Sequence, residues 1–173
     1  MAIALLLTTA LALVGFVATS VQGFVVATGI GAGSAATRIL VTRHVGWAIP
    51  TVIFSLFSQS MVIFYFIGTG RLVKDEIADW PPERQRPVLL ALRRFKARTS
   101  PPATFSLLAA IGVFVIGGAV HTHALPPGTH LAASIVAVAM HVWAFAAEWS
   151  AFAENYRLMD DPAAYAAGAP PTA

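Results

Sequence analysis

The sequence has no cysteine and very few charged side chains. The absence of cysteine excludes disulfides, thiolate metal sites, iron–sulfur clusters and covalent attachment of a c-type haem. Asp, Glu, Lys and Arg together make up 11% of the 173 residues, whereas a soluble domain carries about 25%. The sequence also lacks a nucleophilic triad, a phosphate-binding loop and a dinucleotide fingerprint. This composition indicates a membrane protein and identifies no catalytic residue.

Apolar residues occur in runs that are long enough to cross a bilayer. They account for 57% of the chain, and about 20 consecutive apolar residues suffice for one transmembrane helix. The runs predict four transmembrane helices, over residues 3–30, 47–68, 103–120 and 130–156. We interpret the first run as a retained helix and not as a cleaved signal peptide, because no Lys or Arg precedes it and the run is too long.

These spans predict an all-α integral membrane protein, an antiparallel bundle of four transmembrane helices. The bundle would form a single domain over residues 1–158, since 173 residues leave no room for a separate soluble module. The last residues, 159–173, are rich in Pro and Ala and are predicted to form a disordered tail.

Eight of the 11 Lys and Arg residues lie in one segment, residues 71–100, between the second and third spans. Because loops rich in Lys and Arg remain in the cytoplasm, this basic loop predicts a protein of the cell (inner) membrane with both termini in the cytoplasm. The first and third connections then face outward. Since the basic residues lie in a loop between spans, the net charge of +3 does not indicate nucleic-acid binding.

Within the basic loop the sequence predicts a short amphipathic helix that starts at Pro87. Its apolar face consists of Val88, Leu89, Leu92 and Phe95. The basic residues lie mostly off this face, so we expect the helix to rest on the cytoplasmic membrane surface, with Arg93, Arg94 and Lys96 binding anionic lipid. The alternative is a solvated connecting loop without a role in lipid binding.

Four of the five histidines gather at the outer membrane face in this topology. They are His44, His121, His123 and His130. Imidazole is a common ligand of zinc, copper and haem iron, so the cluster predicts a site for a metal ion (copper, zinc or iron) or for haem b. The alternative is that these amphipathic side chains only occupy the boundary between lipid and water.

The fourth span carries a stripe of polar residues on one helix face. Its members are His130, Ser134, His141, Glu148 and Asn155, whose spacings of four, seven, seven and seven residues keep them aligned. Polar side chains inside lipid are unfavourable. We therefore expect the stripe to face protein, a cofactor or water.

Two residues of this stripe lie deep in the predicted membrane. His141 is near the middle of the bilayer, and Glu148 is close to its inner boundary. Together with Gln59 of the second span, they are candidates for cofactor binding or for a proton relay. The alternatives are that His141 only joins helices through a hydrogen bond to Gln59, Ser58 or Gln22, and that Glu148 only reaches the headgroups.

We therefore expect a polytopic membrane subunit that binds a metal or haem at its outer face, within a larger redox or respiratory-type complex. Expected partners are membrane lipids and either other membrane subunits or further copies of the chain, because four small spans leave apolar surface to be covered. One alternative is a cofactor-free accessory subunit whose polar stripe locks the helices together. A second is a small proton-coupled transporter, although the sequence has no internal inverted repeat of the kind such proteins often contain.

Overall fold

The computed structural model describes residues 2–28 and 34–167, which are almost entirely helical. The helices are α1 (Ala2–Ala27), α2 (Ser34–Glu76), α3 (Pro82–His121), α4 (Pro127–Asp160) and α5 (Pro162–Ala166). Neither of the two described ranges contains a β-strand. Each of α1 to α4 is long and apolar enough to cross a membrane. The predictions of an all-α protein and of four helices that could span a membrane are therefore confirmed.

Two of these helices are much longer than the sequence predicts. α2 has 43 residues and α3 has 40, which correspond to about 64 and 60 Å of helix, roughly twice the hydrocarbon thickness of a bilayer. α2 begins at Ser34 and not near residue 47, so that Pro50 lies in its interior and not in its first turn. α1 ends at Ala27, and residues 29–30 of the predicted first span lie outside the described residues.

Residues 71–100 do not form the loop with a separate surface helix that the sequence predicts. Residues 71–76 are the last turns of α2, a turn follows, and α3 then continues from Pro82 to His121 without interruption. It passes through three internal prolines, Pro87, Pro101 and Pro102. The carbonyls of Ala97 and Arg98 lose their helical partners to the last two prolines. Both residues are exposed, so water can satisfy these carbonyls.

The apolar face that was expected to lie on the membrane surface is buried between helices. Val88, Leu92 and Phe95 pack with Ile77 of the α2–α3 turn and Leu158 of α4 in one apolar cluster. Contact with neighbouring helices removes this face from water as effectively as lipid would. An amphipathic pattern alone does not distinguish the two situations, which explains the wrong prediction of a surface helix.

The predicted disordered tail is helical in its first part. α4 continues to Asp160, and α5 covers Pro162–Ala166. Asp161 caps α5, because its Oδ1 accepts a hydrogen bond of 2.8 Å from the backbone N–H of Ala164, and Pro162 provides the first helical residue. Residues 168–173 of the predicted tail lie outside the described residues.

The four long helices pack side by side, with α1 and α3 each in contact with both α2 and α4. Apolar clusters occur at three successive levels, around Phe95, Phe152 and Phe16. We call the helix ends near the α2–α3 turn (residues 77–81) the basic end. The helix ends near the α3–α4 turn (residues 122–126) are the histidine end.

Candidate functional site

His44 of α2 and His130 of α4 face each other at the histidine end. Their ring centroids are 6.0 Å apart and their planes are inclined by 73°. Both side chains are half-buried, and the Nδ1 atom of each is buried without a hydrogen-bond partner. The main-chain carbonyl of Thr19 interacts with His44, and that of Val113 with His130. A backbone carbonyl that orients an imidazole while leaving one nitrogen free is typical of histidines that bind metals.

Each of these two rings lies against a glycine of a neighbouring helix. A Cβ atom at Gly23 of α1 would lie 3.1 Å from Cε1 of His44, and one at Gly117 of α3 would lie 2.9 Å from Cε1 of His130. Such distances are shorter than normal packing contacts. The two glycines therefore provide the space that the imidazole rings occupy.

The other two histidines of the predicted cluster do not join this pair. His121 is the last residue of α3, His123 lies in the following turn, and both are exposed. Among the described residues, no three His, Cys, Asp or Glu side chains come together as a group that could hold a metal ion. The structure thus brings together two of the four predicted ligands.

His141 is buried and uses both ring nitrogens in hydrogen bonds. Nδ1 lies 2.7 Å from the carbonyl oxygen of Ala137, and Nε2 lies 2.6 Å from Oγ of Ser55. Because a carbonyl can only accept, Nδ1 carries the proton and Nε2 accepts from the serine hydroxyl. Phe16 packs against the ring, with centroids 4.2 Å apart. This arrangement matches the alternative in which His141 joins helices, with Ser55 in place of the three partners suggested from the sequence.

Glu148 lies in the helix core, where polar side chains from two other helices approach it. Glu148 is 0% exposed, Gln59 of α2 is 1% exposed and Thr9 of α1 is 2% exposed. Gln59 and Thr9 both face the Glu148 carboxyl group. However, neither oxygen of the Glu148 carboxyl group has a hydrogen bond of normal geometry. The Oε1 atom of Gln59 also lacks one. Glu148 therefore does not reach the headgroup region in this packing.

A third polar group surrounds Asn155, two turns beyond Glu148 towards the basic end. Nδ2 of Asn155 donates to Oη of Tyr65 at 3.2 Å and to Oγ1 of Thr69 at 3.3 Å. The Thr69 hydroxyl in turn donates to the carbonyl of Tyr65 at 2.9 Å. The Oδ1 atom of Asn155 is buried and has no partner.

The predicted lipid-binding residues Arg93, Arg94 and Lys96 are exposed on α3 at the basic end. Arg93 and Lys96 border a groove that Leu92 and Phe95 of the apolar face also line. Nearby, Arg98 forms an ion pair with Glu154 of α4 on the surface. The exposed positions leave these three basic side chains accessible to lipid headgroups or to water.

Several residues of these sites were not identified from the sequence. Thr9 is one polar residue among many apolar ones in α1, and the glycines at 23 and 117 resemble ordinary helix-packing residues. Tyr65 and Thr69 are one helical turn apart, so their shared face was the one available signal. Their roles depend on which helices meet, and no local pattern contains that information.

Comparisons of the chain with protein-family models, with curated proteins and with solved structures give no match. No activity, ligand or partner can therefore be transferred to it from a relative. A function is therefore inferred from the geometry of the buried polar groups.

Proposed function

We propose that the chain is an integral membrane subunit whose four long helices form an antiparallel bundle in the cell (inner) membrane. The basic end and both termini would lie in the cytoplasm, and the histidine end would face outward. The concentration of Lys and Arg around the α2–α3 turn supports this orientation. The length and apolar character of α1 to α4 support the membrane location.

We further propose that His44 and His130 bind one metal centre at the outer face, with haem b as the preferred group. The observation that carries this proposal is the pair of facing imidazoles, each with a buried and unpartnered Nδ1. The two ring centroids are 6.0 Å apart, so His44 of α2 and His130 of α4 would hold the metal from two different helices.

The number of ligands favours haem over a bare ion. A structural zinc site takes four protein ligands, whereas haem iron needs one or two axial ligands because the porphyrin supplies the others. Among the described residues no third His, Cys, Asp or Glu joins these two side chains, which fits the second case. A copper, zinc or iron ion held by the same two imidazoles is the alternative. When bound, a haem would supply one-electron redox chemistry, as expected for a subunit of a larger redox complex.

An absorption spectrum of the protein purified in detergent, followed by elemental analysis of the same sample, tests this proposal. We expect a Soret band and stoichiometric iron in the wild type, and the loss of both in His44→Ala and His130→Ala. The exposed His121→Ala and His123→Ala are matched controls and should keep them. Copper or zinc without a Soret band would show that the site binds a metal ion and not haem. A colourless, metal-free wild type, prepared without chelator, would contradict the proposal and favour a cofactor-free accessory subunit.

The proposed partners are membrane lipids and either other membrane subunits or further copies of the chain. Large apolar side chains are exposed along the outside of the helices, for example Leu7, Phe64 and Trp149, and these need lipid or protein contacts. At the basic end, Arg93, Arg94 and Lys96 would bind anionic headgroups. Replacing all three by Ala should then reduce the anionic lipid that copurifies with the protein.

A further inference from the structure

Among the residues that the structure describes, no positively charged side chain pairs with the carboxyl group of Glu148. An ionised carboxylate in an apolar interior is strongly unfavourable unless a cation or several donors accompany it. The part of the chain that the structure describes contains one ion pair, which joins the exposed side chains of Arg98 and Glu154. Glu148 takes no part in it. The side chains that face its carboxyl group, Thr9 from α1 and Gln59 from α2, are uncharged.

Several acceptor atoms around this carboxyl group have no donor. Both oxygens of Glu148 and Oε1 of Gln59 are buried without a hydrogen-bond partner. The Thr9 hydroxyl donates to the carbonyl of Leu6 at 3.0 Å, so it presents lone pairs to its surroundings. A proton on Glu148 would remove the uncompensated charge and add one donor to this group. A protonated carboxylic acid has one O–H donor, and Oε1 of Gln59 is an acceptor in need of one.

The polar group around Asn155 lies further along the same helix, towards the basic end. Asn155 lies seven residues further along α4, about 10 Å away, and donates to Tyr65 and Thr69. Tyr65 and Thr69 also line an open, mostly apolar groove of about 490 Å³, which Asp160 borders near the end of α4. Phe152, 1% exposed within an apolar cluster, lies between Glu148 and Asn155 on α4 and separates the two polar groups.

We propose that Glu148 is a buried, exchangeable proton-binding site whose carboxyl group lies between Thr9 and Gln59. A proton from water adds to one carboxylate oxygen, and the new O–H donates to Oε1 of Gln59. On release, that O–H bond breaks and the proton returns to water. The site goes beyond the proposed metal centre, since it requires nothing bound between the two histidines.

Infrared spectroscopy of the full chain in liposomes tests the protonation. We expect a carbonyl stretch of a protonated carboxyl group at neutral pH, shifted to lower frequency in D2O. The band should disappear in Glu148→Gln and persist in Glu154→Gln, a matched control on the exposed side of the same helix. If Glu148→Gln does not fold, Glu148→Asp should shift the band without removing it.

The D2O shift tests whether the proton on Glu148 exchanges with water. A wild type without the band would show an ionised Glu148 and overturn the proposal, and so would a band that never shifts in D2O. Loss of the band on adding sodium chloride, but not choline chloride, would identify a sodium site instead.

Discussion

Nε2 of His141 accepts a hydrogen bond of 2.6 Å from Oγ of Ser55, which joins α4 to α2 inside the helix core. The opposite ring nitrogen donates to Ala137 of its own helix, so the imidazole is held at both ends. His141 is 2% exposed and Ser55 is 0% exposed. A fully satisfied polar pair at this depth connects two helices at a defined height and rotation.

Replacing Ser55 by Ala should lower the stability of the folded protein. The change removes the donor to Nε2 of His141 and leaves a buried acceptor unpaired, which costs about 0.5–2 kcal/mol. Thermal or denaturant unfolding in detergent measures the difference. Ser150→Ala is the control, because that exposed hydroxyl bonds only to carbonyls of its own helix. Equal stabilities of the two variants would show that the Ser55–His141 bond contributes nothing.

Replacing Gly117 by Ala should disturb the histidine pair. The new methyl group would lie 2.9 Å from Cε1 of His130 and would force the ring to move. We expect weaker binding of the metal centre, seen as a lower metal or haem content of the purified protein or as an altered absorption spectrum. The adjacent Gly118→Ala is the matched control, since nothing lies within 4 Å of a Cβ at that position, and Ala favours helix by up to about 1 kcal/mol. Identical spectra for the two variants would show that ring position does not matter.

Replacing Phe95 by Ala should destabilise the basic end. The side chain is 3% exposed within an apolar cluster, and deleting a buried Phe typically costs about 3–5 kcal/mol. Leu90→Ala, on the same helix but 42% exposed, should cost under about 1 kcal/mol. Unfolding of both variants in detergent measures this difference. A mild effect of Phe95→Ala would favour the membrane-surface helix that the sequence predicts.

Replacing His123 by Gly should stabilise the α3–α4 turn slightly. His123 has a φ of 59°, in the left-handed region that costs a residue with a side chain about 1–2 kcal/mol and glycine very little. A gain of up to about 1 kcal/mol should appear in thermal unfolding. His121→Gly should have the opposite sign, because His121 is still helical and glycine weakens helices. A loss of stability in His123→Gly would indicate a contact made by that side chain.

The prolines in the long helices show where local sequence signals fail. Pro50, Pro101 and Pro102 are helix breakers by propensity, but α2 and α3 continue through them. Packing of the flanking segments outweighs the lost hydrogen bonds, which amount to a few kcal/mol. The basic segment was misassigned for the same reason, because the cluster around Phe95 takes residues from α2, α3 and α4.

The histidines show the same limit for the site. His121 and His130 lie on either side of a tight turn and are therefore at similar heights along the helix axes. The rotation of α3, however, leaves His121 exposed. The neighbour of His130 is instead His44 of α2. Similarly, Thr9 faces Glu148 although it lies 139 positions earlier in the sequence. Ser55 bonds to His141, which follows it by 86 positions. These contacts depend on the rotation of each helix and on its axial offset from its neighbours. The sequence of one segment determines neither.

By itself the sequence determined the all-helical class, the four helices that could span a membrane and the polar face of α4. All three follow from composition and periodicity within one segment, where apolar runs and a repeat near 3.6 residues act locally. Only the tertiary structure decided that His44 pairs with His130, that Ser55 bonds to His141 and that Glu148 meets Gln59 and Thr9. Such pairings depend on how whole helix surfaces fit together, since interhelical packing selects one rotation and one offset from many with similar local energies.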